Sequence, residues 1–157
     1  MALLEKKLVV RQSNLPGAGK GLFTKTFIPK GTRIVEYKGK VSTWKESDHE
    51  DNGYIYYVKR YHVIDARPYP KILARYANDA NGLQKIKGLR NNAEYEEEGF
   101  RVFIEAKRDI EAGSEILVPY GKEYWDVIRH NMKLEQKVSG APGKKKAREK
   151  HKRGRPA

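Results

Sequence analysis

One heptapeptide constrains the fold more than any other part of the chain: Glu115-Ile116-Leu117-Val118-Pro119-Tyr120-Gly121. Its apolar run reads as a short buried strand. Pro119 has no N–H for a sheet ladder, so pairing must stop there. Gly121 lets the chain turn at once. Tyr120 is therefore fixed where a buried strand breaks off. It is read either as a core tyrosine whose hydroxyl finds a backbone partner or as a hydroxyl aimed into a cavity.

The rest of the sequence supplies many short strands and little helix. Leu8-Val9-Val10, the segment entered at Leu22-Phe23-Thr24, and Arg33-Ile34-Val35-Glu36-Tyr37 read as strands, with a turn at Ile28-Pro29-Lys30-Gly31. Tyr54-Ile55-Tyr56-Tyr57-Val58 and His62-Val63-Ile64-Asp65 read as a hairpin rich in β-branched and aromatic residues. Residues 91–98 and Arg101-Val102-Phe103-Ile104-Glu105-Ala106 are further strands, with a turn at Gly99. Residues 42–53 read as a helix or mobile loop, residues 72–77 as a short helical or 3₁₀ piece, and residues 84–90 as a basic loop. A helix is expected from about Tyr124 to near Glu135. No strand–helix–strand rhythm repeats, which argues against a parallel Rossmann sheet.

Gly17, Gly19 and Gly21 stand at alternate positions and make a loop whose amides are free to face a ligand. The spacing is neither the P-loop nor the dinucleotide fingerprint. A plain turn between strands is the competing reading.

Among the 157 residues there is no cysteine, which excludes disulfides and thiolate zinc sites and suits an intracellular setting. No apolar run is long enough for a membrane helix. The net charge of +13 is concentrated at one end. Residues 137–157 hold nine Lys and Arg against Glu149, which is +8, leaving +5 for residues 1–136. The expected division is a domain over 1–136, with its C-terminal helical segment from about 122, and a basic disordered tail over 137–157. Charge without accompanying apolar residues points to nucleic acid rather than membrane. Arg153-Gly154-Arg155-Pro156 resembles the AT-hook core, whose arginines lie in the narrow minor groove of A·T-rich DNA.

Taken in order, the motifs resemble those of the SET-domain lysine methyltransferases. Gly17-Ala18-Gly19-Lys20-Gly21-Leu22-Phe23 is similar to the first motif, and Glu36-Tyr37-Lys38-Gly39 to the YxG that follows. Ala74-Arg75-Tyr76-Ala77-Asn78 is similar to the approach to the Asn-His motif. Asn91-Asn92-Ala93-Glu94-Tyr95 is similar to the Pro-Asn segment, and residues 110–121 to the last motif. The resemblance implies a mostly β, β-clip-like fold of several small antiparallel sheets with few short helices. It also implies a C-terminal pseudoknot in which the last motif threads beside Asn78. This chain has Asp79 where the family has histidine, and Asn91 where it has proline.

The resemblance further implies methyl transfer from S-adenosyl-L-methionine to a lysine of a basic, DNA-associated protein, histone or histone-like, in the nucleus or nucleoid. It gives Ala18, Gly19, Lys20, Asn78, Asp79 and Tyr120 to the cofactor, and Tyr120, Tyr95 and Tyr37 to the lysine channel. No metal or membrane partner is implied. Because Asp79 and Asn91 depart from the pattern, the alternative is a catalytically inactive SET-fold binding module tethered to DNA by its tail. The run Glu94, Glu96, Glu97, Glu98 is read either as a solvated turn or as an acidic rim for a basic substrate.

Overall fold

The computed structural model describes residues 3–47, 54–82 and 85–138. Among the described residues, nine strands form three antiparallel three-stranded sheets, accompanied by two α-helices and two short 3₁₀ helices. The first sheet has the order β1-β2-β9, from Leu8–Gln12, Lys20–Thr24 and Glu115–Ile116. The second has the order β3-β8-β7, from Arg33–Glu36, Arg101–Ala106 and Ala93–Glu98. The third has the order β4-β6-β5, from Lys40–Ser42, His62–Asp65 and Ile55–Lys59. The one-turn helix α1 is Trp44–Ser47, and α2 is Lys122–Val138. Helix α2 begins two residues before Tyr124, runs past Glu135, and extends two residues into the range assigned to the tail. The remainder of that range, 139–157, lies outside the described residues, as does the Arg-Gly-Arg-Pro element.

The strands follow from their residues. β8 is central in its sheet and is buried at Val102, Phe103, Ile104 and Ala106. A strand covered on both faces needs a nearly continuous apolar run rather than alternation. β7 and β8 pair from Ala93↔Ala106 to Glu98↔Arg101 and close through Gly99, whose φ is 62°. The β5–β6 hairpin pairs Ile55 with Asp65 and Tyr57 with Val63. Leu22, Ile34, Tyr37, Ile104, Ile116 and Val118 meet in one core between the sheets.

The final apolar segment is only partly a sheet strand. Glu115 and Ile116 pair with β2, at Phe23 and Leu22. Leu117 then makes a parallel bridge to Asn78, and the Val118 N–H donates to the Asn78 carbonyl at 2.8 Å. On its other side the Leu117 carbonyl accepts from the N–H groups of Asn92 and Ala93, at 3.0 and 3.1 Å. The Asn92 side chain completes the clamp, donating to the Glu115 carbonyl and accepting from the Leu117 N–H, each at 2.9 Å. The segment thus passes between the 77–79 and 91–93 stretches. Its ladder ends at Pro119, which has no N–H to offer.

Candidate functional site

A cavity of about 830 Å³ opens beside the clamped segment. Its walls come from the 15–20 loop, Tyr54, the 75–82 stretch, Tyr120 and the first turn of α2. Ala18, Gly19, Lys20, Asn78, Asp79 and Tyr120 all line it, although they come from three distant parts of the chain.

The glycine loop divides its work. Gly17 and Gly19 hold φ of 75° and 72°, and both are open around the position a Cβ would take. Gly21 is buried in β2 against the Glu115 carboxylate, which an added Cβ would strike. Its smallness serves packing rather than a ligand. Glu115 is itself buried. It accepts from the Ser13 hydroxyl at 2.6 Å and the Asn14 N–H at 2.9 Å, tying the loop to the last motif.

Asn78 reaches across with its amide nitrogen to the Lys20 carbonyl at 2.9 Å and toward Glu115 at 3.5 Å. Asp79 is 6% exposed and takes part in a hydrogen-bond cluster with Asn91 and Trp125. Tyr120 is 5% exposed, and its hydroxyl donates to the Ala77 carbonyl. Tyr120 therefore has the backbone partner expected of a core tyrosine and lines the cavity as well. Its ring lies parallel to Trp125, 5.9 Å apart at 8°, and edge-on to Tyr124 at 4.9 Å.

Tyr37 and Tyr95 do not line this cavity. Tyr37 is 1% exposed and donates to the Tyr54 carbonyl at 2.6 Å, behind the wall that Tyr54 forms. Tyr95 meets Tyr37 edge-on at 6.0 Å and Tyr56 at 5.0 Å.

The site also includes residues beyond the six assigned to the cofactor. Arg75 lies over the Tyr54 ring at 4.2 Å and donates to the carbonyls of Ala66 and Arg67. Tyr124 and Trp125 form the wall on the helix side.

The acidic run on β7 is mostly engaged within the protein. Glu96 pairs with Lys107 at 2.5 Å, Glu97 accepts from the Tyr56 hydroxyl at 2.9 Å, and Glu98 pairs with Arg33 at 2.6 Å. In the same sheet the Arg101 hydrogen bond holds the Glu36 carboxyl below its usual value, and Glu96 raises Lys107.

Comparison with known proteins agrees with this geometry. The SET domain family model matches residues 19–121. Histone-lysine N-methyltransferase set-17 of Caenorhabditis elegans is 27% identical over 119 residues, covering 73% of this chain and 41% of that protein. The chain therefore spans under half the length of that relative. The methyltransferase domain of human PR domain-containing protein 2 superposes with a TM-score of 0.56 at 23% identity, covering 74% of this chain and 78% of that one. A chain of an active polycomb repressive complex 2 in the basal state superposes with a TM-score of 0.59 at 26% identity, covering 74% of this chain and 15% of that one. The chain belongs to the SET domain family.

Proposed function

We propose that this SET-domain chain is a protein-lysine N-methyltransferase that uses S-adenosylmethionine and acts on a basic, DNA-associated protein. One observation carries the reading. The glycine loop, Asn78, Asp79 and Tyr120 converge on a single cavity of about 830 Å³. That volume suits a cofactor-sized molecule, since ligand pockets run to roughly 300–1,000 Å³. The lining suits one as well. It offers open glycine backbone, the Tyr124 and Trp125 rings, and the Asn78 amide. The histone-lysine methyltransferase relative supports the reaction class and a nuclear setting.

When bound, S-adenosylmethionine supplies an activated methyl group on a sulfonium. The chain's own task is to hold two reactants in line and keep water out. Asn78 has committed its amide nitrogen to Lys20, so its amide oxygen is the group for an ammonium of the cofactor. The Tyr120 hydroxyl donates a hydrogen bond to the Ala77 carbonyl, which fixes its phenolic oxygen at the cavity edge. The backbone of Ala18, Gly19 and Lys20 faces the polar end. Tyr37 serves this arrangement by fixing Tyr54, with Tyr95 packed behind it.

An incoming lysine has an ordinary pKa of about 10.4 and must lose its proton before it attacks. Burial beside aromatic walls favours the neutral amine. The neutral amine would then be the acceptor of the methyl group that the bound cofactor would supply.

The test is incubation with methyl-labelled S-adenosylmethionine and a lysate of the source cells, followed by identification of labelled proteins. Label on lysines of basic, DNA-associated proteins is the expected result. Cofactor binding with no transfer to any protein would instead leave the inactive binding module standing.

A further inference from the structure

The two positions at which the chain departs from the family pattern touch each other. Asp79 Oδ1 accepts from the Asn81 N–H at 2.8 Å and from Asn91 Nδ2 at 2.9 Å. Asp79 Oδ2 accepts from the Tyr120 N–H at 2.9 Å and from Trp125 Nε1 at 2.7 Å. Asn91 Oδ1 in turn accepts from the Ala80 N–H at 2.9 Å. A carboxylate offers about four acceptor sites and no donor, and all four are filled here by uncharged donors. An amide or imidazole at this position would turn a donor toward other donors. Asn91 is the matching half, donating to Asp79 while accepting from its neighbour.

This cluster joins three pieces of the site. Oδ2 alone links the backbone of Tyr120, at the end of the clamped strand, to the indole of α2. Trp125 is further held by the parallel Tyr120 ring at 5.9 Å. It also lies close to Gly82, where an added Cβ would come within 2.5 Å of the indole. The helix thus enters the cavity wall through a side chain fitted on three sides. Only one of those contacts is a directional bond, and it ends on Asp79.

We propose that Asp79, held by Asn91, is a positioning residue that docks α2 against the cavity through Trp125 and fixes the backbone of Tyr120 by the same oxygen. Its consequence for the cofactor rests on the proposed function, but the docking itself does not. The paired departures make one unit that builds the helix-side wall. Losing Asp79 frees the helix as well as one hydrogen bond.

The test uses the full chain carrying Trp44→Phe, so that Trp125 is the sole indole of the protein's two. Trp125 emission, acrylamide quenching and calorimetric affinity for S-adenosylhomocysteine are measured for Asp79→Asn, Asn91→Asp and the double variant. Asp79→Asn is expected to red-shift the emission, raise quenching and weaken affinity about tenfold or more, as loss of charge-assisted bonds implies. The double variant should restore most of both signals. In it the two side chains exchange roles: the amide nitrogen at the first position donates to the carboxylate at the second, and only the Asn81 N–H loses its acceptor. The amide oxygen then accepts again from Tyr120 and Trp125.

Unchanged emission and quenching in Asp79→Asn would overturn the proposal. So would a double variant that folds but behaves like Asp79→Asn alone. Should Asp79→Asn fail to fold, Trp125→Phe, which keeps Asp79 and removes the indole N–H, provides the second measurement. Amide exchange in the first turns of α2 should then rise about tenfold with the sheets unaffected, and no rise would refute the docking role. If emission responds as expected while the parent protein binds no S-adenosylhomocysteine, the docking role stands and the proposed function falls.

Discussion

Tyrosine takes two opposite parts in this molecule, and partner geometry separates them. The Tyr37 hydroxyl is sealed behind Tyr54, while Tyr120 sits at the cavity edge with its hydrogen given to Ala77. Tyr120→Phe should lower methyl transfer about a hundredfold, the scale of a misplaced reacting group, and leave S-adenosylhomocysteine affinity within a few-fold of the parent. Single-turnover rates and calorimetry on one preparation would check both. Tyr37→Phe removes one of two donors to the Tyr54 carbonyl, which keeps the Ala66 N–H, and should cost about 0.5–1.5 kcal/mol of stability by urea unfolding.

Glu36 gives a residue-level prediction in pH. Arg101 lowers its folded-state pKa below the reference 4.5, chiefly by a direct hydrogen bond. The unfolded chain therefore binds the proton more readily, so this stabilisation is present above about pH 4.5 and is lost as pH falls below it. Arg101→Gln should lower Tm near neutrality. The gap from the parent should close as the scan is moved down toward about pH 3.

Among the elements, the clamped segment matters most. Asn92 holds it twice, at the Glu115 carbonyl and the Leu117 N–H. Asn92→Ala removes both bonds where water does not easily substitute. It should destabilise the protein by about 2–4 kcal/mol in denaturant titrations and weaken cofactor-analogue binding in parallel. The sequence pattern marks Glu115 to Val118 as one strand, and the structure divides it. Half lies in an antiparallel sheet, and half runs parallel to Asn78 between two loops. An apolar run reports burial, but it does not report which backbone lies beside it. For the same reason, the three alternating glycines look alike in the chain. Gly21 differs from Gly17 and Gly19 through its contact with Glu115, a residue far along the sequence.

At the scale of the whole molecule, charge is concentrated at one end. Residues 139–157, outside the described residues, hold eight Lys and Arg against Glu149. Deleting them should reduce DNA affinity and flatten its dependence on salt, because fewer counterions are released. Melting and S-adenosylhomocysteine binding of the domain should stay as they were. Mobility shifts on A·T-rich and G·C-rich duplexes at two salt concentrations would separate an AT-hook from plain charge attraction.

Local chemistry was enough to set out the kinds of element. β-branched and aromatic runs made the strands, Pro and Gly marked the turns, and the break at Pro119-Tyr120-Gly121 ended the last strand. The ordered motifs also named six residues that the fold gathers around one cavity. Only the tertiary structure decided the rest. It set Tyr37 behind the wall, drew the Glu96, Glu97 and Glu98 carboxylates into internal partnerships, and brought Asp79, Asn91 and Trp125 into one hydrogen-bonded unit. Those contacts include pairs 12 positions apart, as in Asp79 and Asn91, and 65 apart, as in Arg33 and Glu98. Hydrogen-bond donors and acceptors so placed carry no periodicity, and the unit of Asp79, Asn91 and Trp125 closes only where the last segment passes between Asn78 and Asn92.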